Sequence, residues 1–483
     1  MKILVAASEA VPYAKTGGLA DVAGTLSQKY RNIGEESYVI LPLYRNIKKG
    51  KITLRDTGLT IKVPVGERQV EGRVFNDRSL AYFIQCDEFF DRDELYGTPW
   101  GDYLDNASRF TFFSRGVLET CRELNLIPDV IHCNDWQTSL VTIYLKTIYL
   151  SDRYFKKTAT ILTIHNLGYQ GLFPASELPL TGLGWDLFHT EGIEFYGKIN
   201  FLKAGLISAD VLTTVSYTYA KEILMREFGY GLEGVLQKRG KDLYGVLNGI
   251  DYTEWDPSRD KFLPKRFDMK NREGKRECKK QLVKEASLDR VERPLIGIVS
   301  RLSDQKGLDL VLQSVGEFLS LGVSLVVLGK GDEVYQNSLS DIAQRYKGRV
   351  FVKIGFDESL AHQIYAGSDF FLTPSRYEPC GLGQLISMRY GSIPIGRRTG
   401  GLADTIKDFD PLTSKGTGFL FSDYTPSAMQ DAVKRALCVY TDEDKMKKVI
   451  TSAMKMDFSW ERSAERYIEL YKIAMEKRRG LEG

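Results

Sequence analysis

The chain has 483 residues, 27% charged and 43% hydrophobic, and its 66 basic side chains nearly balance 63 acidic ones, leaving a net charge of +3. That length is too great for one hydrophobic core and fits two domains of about 200 residues. Near-neutral charge argues against a nucleic-acid partner, and no apolar run reaches the roughly 20 residues of a membrane span.

The first apolar run, residues 3–7, is a predicted strand. One basic residue and a short apolar core could also open a secretory signal, but a glycine turn follows at once, which favours a core strand. Beyond the turn, Leu19, Val22, Ala23, Leu26 and Tyr30 form a helical stripe. Between strand and helix lies Thr16-Gly17-Gly18-Leu19-Ala20-Asp21, and the same six residues recur at 399–404 after a second apolar run. A strand, a paired-glycine turn and a helix start make an anion-binding corner. Two such corners predict two α/β domains facing one cleft around a phosphorylated ligand. Further strands are expected at 38–41, 130–132, 160–164, 211–215 and 245–247, apolar enough for parallel strands covered by helices.

Residues 95–106 set three aromatics among glycines and polar groups; they read equally as a sugar-stacking surface or as a loop tucked by its rings. The turn-rich stretch 248–293 separates the halves, with a hinge expected at 249–257 and a polar helix at 270–284. The strand pattern restarts at 295–299, 324–328, 350–354, 370–373 and 392–395. Trp460, Ala464, Tyr467, Ile468, Tyr471 and Met475 form one face of a final helix.

In open α/β sheets, ligands collect beyond the carboxyl ends of strands. There the first half offers Lys15, His132, Asp135, His165 and Asn166, and the second offers Arg301, Lys306 and the run from Ser375 to Gly381. Arg301 and Lys306 flank a turn and a helix start, where a planar fork and a point charge suit a diphosphate; the alternative is two solvated surface cations. Glu378 precedes Pro379 and a second helix start, and reads either as a cleft carboxylate or as a helix-dipole partner. A lone histidine such as His165 is more often core than catalyst; His132 and Asp135 share that ambiguity, and His189 and His362 carry no signal. Gly329-Lys330-Gly331 lacks the third glycine of a dinucleotide fingerprint. The six cysteines show no C-x-x-C spacing and read as reduced thiols of a cytoplasmic protein. With no clustered His/Cys/Asp set, no metal is expected.

Lys15-Thr16-Gly17-Gly18-Leu19-Ala20-Asp21-Val22, His165-Asn166-Leu167, Phe201-Leu202-Lys203-Ala204-Gly205 and Val246-Leu247-Asn248-Gly249-Ile250-Asp251 resemble motifs of the bacterial glycogen synthase and plant starch synthase family. So do residues 300–307, 374–382 and 397–404, in order along the whole chain. The resemblance implies a GT-B fold: two Rossmann-like domains at 1–250 (glucan acceptor) and 257–457 (nucleotide-sugar donor) with a deep cleft between them. A C-terminal helix at 458–483 would pack back on the first domain. It implies retaining transfer of glucose from ADP-glucose to the non-reducing end of glycogen or another α-1,4-glucan, with no cofactor, metal, nucleic acid or membrane. By motif position Arg301, Lys306, Lys15, Gly17, Gly18, Cys380, Gly381, Leu382, Gly383 and Gly400 would hold the donor, with Phe356 stacking on the base. Glu378 would position the glucose, with Lys15, His165, Arg301 and Lys306 beside it in catalysis. Asp21, Tyr96, Asp135, His165, Asn166 and Asn248 would line the sugar side. Relatives often carry a threonine at Gly383, and more distant transferases a second glutamate at Ile386. The rival readings are another GT-B enzyme, such as an epimerase or a pyridoxal-dependent phosphorylase, and an inactive glucan-binding relative.

Overall fold

The computed structural model describes residues 1–98 and 100–480. Pro99, inside the aromatic stretch, and residues 481–483, at the end of the last predicted segment, lie outside the described residues. The backbone separates into two compact units. One comprises Met1–Val215, Ala220–Val246 and the chain from Trp460 onward; the other comprises Ser216–Tyr219 and Leu247–Ser459. No helix among the described residues is long and apolar enough to cross a membrane.

The first unit is built on a nine-stranded sheet: β1 (Lys2–Ala6), β2 (Glu36–Pro42), β3 (Arg55–Val65), β4 (Arg68–Asn76), β5 (Ala81–Gln85), β6 (Val130–Asn134), β7 (Ala159–Ile164), β8 (Val211–Thr214) and β9 (Leu243–Gly245). Their spatial order is β9-β8-β7-β6-β1-β2-β5-β4-β3. All pairings from β9 to β5 are parallel, with Leu4 between Tyr38 and Ile131. The helix α1 (Gly18–Asn32) buries its predicted stripe against this sheet.

The parallel-only expectation fails at one edge, where β3, β4 and β5 pair antiparallel. Residues 61–65 alternate, with Ile61, Val63 and Val65 buried and Lys62 exposed, which is the pattern of a strand covered on one face only. Gly66, at φ +60°, turns the hairpin. Helix α2 (Asn106–Glu123) covers β3, and its buried Arg109 organises the aromatic stretch before it. The guanidinium donates to the carbonyls of Phe89 (2.7 Å) and Leu95 (2.9 Å) and to Asn106 Oδ1 (2.7 Å). Tyr103 lies over Arg109 and Arg92, while Trp100 stays 93% exposed.

The last helix (Trp460–Gly480) belongs to this first unit and packs on β7, β8 and α1, as the resemblance implies. Tyr471 bridges Tyr30 Oη and His132 Nδ1, both at 2.8 Å, and His132 Nε2 meets Thr163 Oγ1 at 2.6 Å. Burial pushes the His132 imidazole down to about 3, so it is a neutral core residue.

The second unit has a six-stranded, all-parallel sheet: β10 (Leu295–Val299), β11 (Ser324–Gly329), β12 (Val350–Ile354), β13 (Phe370–Thr373), β14 (Ile393–Arg397) and β15 (Phe419–Phe421). The order is β12-β11-β10-β13-β14-β15, so the central pair β10 and β13 is a topological switch point. Around it lie α3 (Leu308–Ser320), α4 (Glu358–Gly367), α5 (Gly383–Arg389) and the single short helix α6 (Gly400–Thr405).

Candidate functional site

At the switch point, the loop after β10 runs through Arg301 into one helical turn, Asp304–Lys306, and then into α3. Gly307 links turn and helix at φ +69°, and a Cβ there would collide with the carbonyl of Pro374. The loop after β10 is therefore clamped against the loop after β13. This brings Lys306 Nζ to 2.7 Å from Glu378 Oε2, which also accepts from Ser375 Oγ at 2.8 Å. Both side chains of the pair are largely removed from water, so their attraction is screened less than a surface pair's. Arg301 remains exposed, its Nη2 3.4 Å from Gln305 Oε1, and Gln305 reaches the Tyr377 carbonyl at 3.4 Å. The two cations predicted to act together do share one strand end, five residues apart.

The glutamate's backbone is fixed from a second direction. Gly401 N–H donates to the Glu378 carbonyl at 3.0 Å. Gly400 has φ +43°, and a Cβ on either glycine would land on a carbonyl oxygen, of Glu378 or of Cys380. Gln384 Nε2 donates to the carbonyls of Cys380 (2.9 Å) and Gly381 (2.8 Å), so α5 begins at Gly383 with its preceding loop pinned. Burial pushes the Cys380 thiol up to about 12 despite an N–H from Asn248, which leaves its backbone, not its sulfur, as the useful group. Asn248 itself is buried, and among the described residues its Oδ1 has no hydrogen-bond partner. Phe356 follows β12 and is 91% exposed. Gly329 and Gly331 let β11 pass the carbonyls of Ser300 and Leu302, where any Cβ would clash. Their work is packing, not dinucleotide binding.

In the first unit, polar groups gather beyond β1, β6 and β7. Lys15 Nζ pairs with Asp21 Oδ1 at 2.8 Å and remains 46% exposed. Asp135 sits at φ +53° and accepts the N–H of His165 at 2.7 Å, along with that of Asn166. Burial pushes its carboxyl up to about 8; those N–H groups oppose the shift and the charge of Glu9 adds to it. His165 Nε2 donates to Asn134 Oδ1 at 2.9 Å, an assignment fixed because Asn134 Nδ2 donates to the Ala6 carbonyl. Burial, helped by His132, holds His165 down to about 3, so its imidazole is neutral. The structure thus brings Asp135, His165 and Asn166 together as a unit.

One functional residue was missed. Buried Glu9 accepts from the N–H and hydroxyl of Thr16, from Gly17 N–H at 3.2 Å, and from Tyr96 Oη at 2.6 Å. The N–H groups of Thr16 and Gly17, just before the helix start where the sequence placed an anion-binding corner, are engaged by this carboxylate. The signal was available, because Ser8 and Glu9 follow β1 directly, where strand-end polar residues collect. Tyr96 reaches the same place through Glu9 and through Ser8 Oγ at 2.7 Å.

Comparison with known proteins gives a consistent picture. Residues 2–238 match the family described as starch synthase catalytic domain, and residues 279–456 match glycosyl transferases group 1. A glycogen synthase of Thermodesulfovibrio yellowstonii is 46% identical, covering 98% of this chain and 97% of its own. One of Syntrophotalea carbinolica is 46% identical, covering 99% of both. The catalytic domain of starch synthase IV from Arabidopsis thaliana, solved bound to ADP and acarbose, is 35% identical over 98% of this chain and 99% of its own, with a TM-score of 0.91.

Proposed function

This chain belongs to the glycogen/starch synthase family, and we propose that the corner built by Arg301, Lys306 and Glu378 is where it handles its donor. Its reaction is the transfer of glucose from ADP-glucose to the non-reducing end of an α-1,4-glucan with retention, on a GT-B fold. The observation that carries the site assignment is the 2.7 Å pair of Lys306 with Glu378 at the switch point.

An ammonium has three donors, so Lys306 can keep Glu378 while turning a second N–H toward a diphosphate. Arg301 adds a fork suited to phosphate oxygens, and Lys15 a further cation that would exchange Asp21 for the donor. Charge building on the leaving diphosphate is stabilised by cations already in place and by the N–H groups at the start of α5, from Cys380 to Gly383. Glu378 Oε2 carries bonds from both Lys306 and Ser375, which makes it a poor nucleophile and a good positioning group for the sugar. This supports substitution on one face of the glucose, with the leaving phosphate taking the acceptor's proton. Phe356 is assigned to the adenine, and Gly17, Gly18 and Gly400 to close backbone approach at the donor. The buried Oδ1 of Asn248 suits a sugar hydroxyl, as do Asp21, Tyr96, neutral His165, Asn166 and Asp135. Turnover needs no metal or cofactor, and six unpaired cysteines support a reducing, cytoplasmic compartment.

The test is nucleotide release from purified protein with glycogen, chelator and either ADP-glucose or UDP-glucose. ADP-glucose is expected to be preferred, with full activity in chelator. Arg301→Ala and Lys306→Gln, the latter keeping a donor for Glu378, should each lower kcat roughly 10²–10³-fold at unchanged melting temperature. A rate near wild type in either variant removes the assignment.

A further inference from the structure

His362, which carried no signal in the sequence, is 1% exposed in the second unit, and its ring is fixed on every side. Trp255 stacks on it at 4.0 Å and 11°, and Phe262 closes at 4.7 Å. Nδ1 lies 2.7 Å from Asp260 Oδ2, an oxygen that also accepts from Tyr390 Oη at 2.6 Å. Burial works against charge on Asp260, but bonds from His362, Tyr390 and the Phe262 N–H overcome it and hold the carboxyl below its usual range. Asp260 Oδ2 thus accepts from Tyr390 and faces Nδ1, so Nε2 is the ring nitrogen turned away from that carboxylate. That atom is buried and has no hydrogen-bond partner among the described residues. A buried polar atom without a partner needs a reason.

The reason lies one helical turn away. Glu358 opens α4 and stands four residues before His362 on the same face, and Glu254 comes from the turn after Asp251. A carboxylate oxygen from each and a ring nitrogen of His362 lie within 4.8 Å of one another. Because Nδ1 is engaged by Asp260, the nitrogen available to these carboxylates is Nε2.

We propose that Glu254, Glu358 and His362 Nε2 form a structural site for a divalent cation of the zinc class, tying the turn at Glu254 to the start of α4. One imidazole with two carboxylates favours such a borderline ion over magnesium or calcium, which prefer oxygen alone. The two glutamates are exposed and can close the remaining ångströms by rotamer change, while water completes the coordination. The carboxylate behind the histidine is the usual outer partner of a metal-bound imidazole, where it fixes the tautomer and raises the ligand's basicity. Binding forms only metal–ligand bonds, and a proton carried by any of the three ligand atoms leaves to solvent. The site takes no part in glucose transfer and so is compatible with turnover in chelator. The sequence expected no metal, and residues 254, 358 and 362 form no short motif that would have pointed to one.

The experiment uses untagged full-length protein stripped with chelator and then dialysed against ZnCl2 in excess MgCl2. One zinc per chain is expected, with a higher melting temperature, and Co2+ in its place should give visible d–d absorption. Glu254→Gln with Glu358→Gln, both at exposed positions, should abolish stoichiometric zinc and the thermal shift while kcat stays unchanged. Asp260→Asn should weaken zinc about 10–100-fold. No zinc on the wild type, or equal zinc on the double variant, overturns the proposal.

Discussion

The two copies of Thr-Gly-Gly-Leu-Ala-Asp are identical in sequence and differ in almost everything else. In the first, the helix begins at Gly18 and runs 15 residues; in the second it begins at Gly400 and stops after 6. Gly17 is extended, at φ −156°, and a Cβ there would meet nothing within 4 Å. Gly400 is left-handed, and both second-copy glycines press on the carbonyls of residues 378 and 380. Asp21 pairs with an exposed lysine, whereas Asp404 accepts the N–H (2.8 Å) and hydroxyl (2.6 Å) of Thr218. The first copy presents a turn outward on a Glu9 anchor; the second is a wedge under the backbone of Glu378. Six residues specify strand end, turn and helix start, and the neighbours decide whether the glycines serve a ligand or the fold.

The sharpest way to break this comparison is Gly401→Ala. Its Cβ has only backbone to displace, so a loss of about 3 kcal/mol or more is expected in urea unfolding, together with loss of turnover. Asp404→Ala should cost about 2 kcal/mol by stranding two donors of Thr218; an unchanged unfolding midpoint would demote the wedge. Glu9→Gln, in the first copy, is expected to cost about 1–2 kcal/mol, since a charged acceptor of three turn donors becomes neutral.

A pH experiment sharpens the electrostatics around the first copy. Asp135 titrates near 8 when folded and near 4 when unfolded, so between those values the folded state holds the extra proton. Its contribution to stability is present at low pH and lost as pH rises through 8. His132 and His165 act in the opposite sense, losing stability as pH falls from about 6.5 toward 3. Between pH 6.5 and 8 only Asp135 among these three contributes, and stability should decline by at most about 1.4 kcal/mol per pH unit. Asp135→Asn should flatten that slope; a slope that survives assigns it elsewhere. The smallest effect is Gly17→Ala, expected within about 0.5 kcal/mol, because its backbone angles and surroundings accept alanine. A cost matching Gly401→Ala would erase the distinction between the copies.

Much of the fold was readable because its signals are local. The stripe of Leu19, Val22, Ala23, Leu26 and Tyr30 has the helical period, and the apolar runs of β1, β6, β7 and β10 to β14 are short and bounded by turns or helical patterns, as buried strands are. The antiparallel arm is absent from the sequence reading although Ile61, Val63 and Val65 alternate, because strands covered on one face carry no continuous apolar run. At the site, Arg301, Lys306 and Glu378 were picked out as candidates by a positional rule about strand ends. Their pairing was not, since Lys306 and Glu378 are separated by 72 residues.

Sequence alone determined where strands end, where helices begin and which side chains stand at the rim, since backbone sterics and hydrophobic period act over a few residues. Only the tertiary structure decided that Glu9 occupies one glycine turn and that Gly401 holds Glu378. It also decided that His132 lies beneath Tyr471 and that His362 Nε2 is buried with no hydrogen-bond partner among the described residues. Hydrogen bonds and ion pairs join groups that the chain brings close only after folding, so no local pattern can encode them.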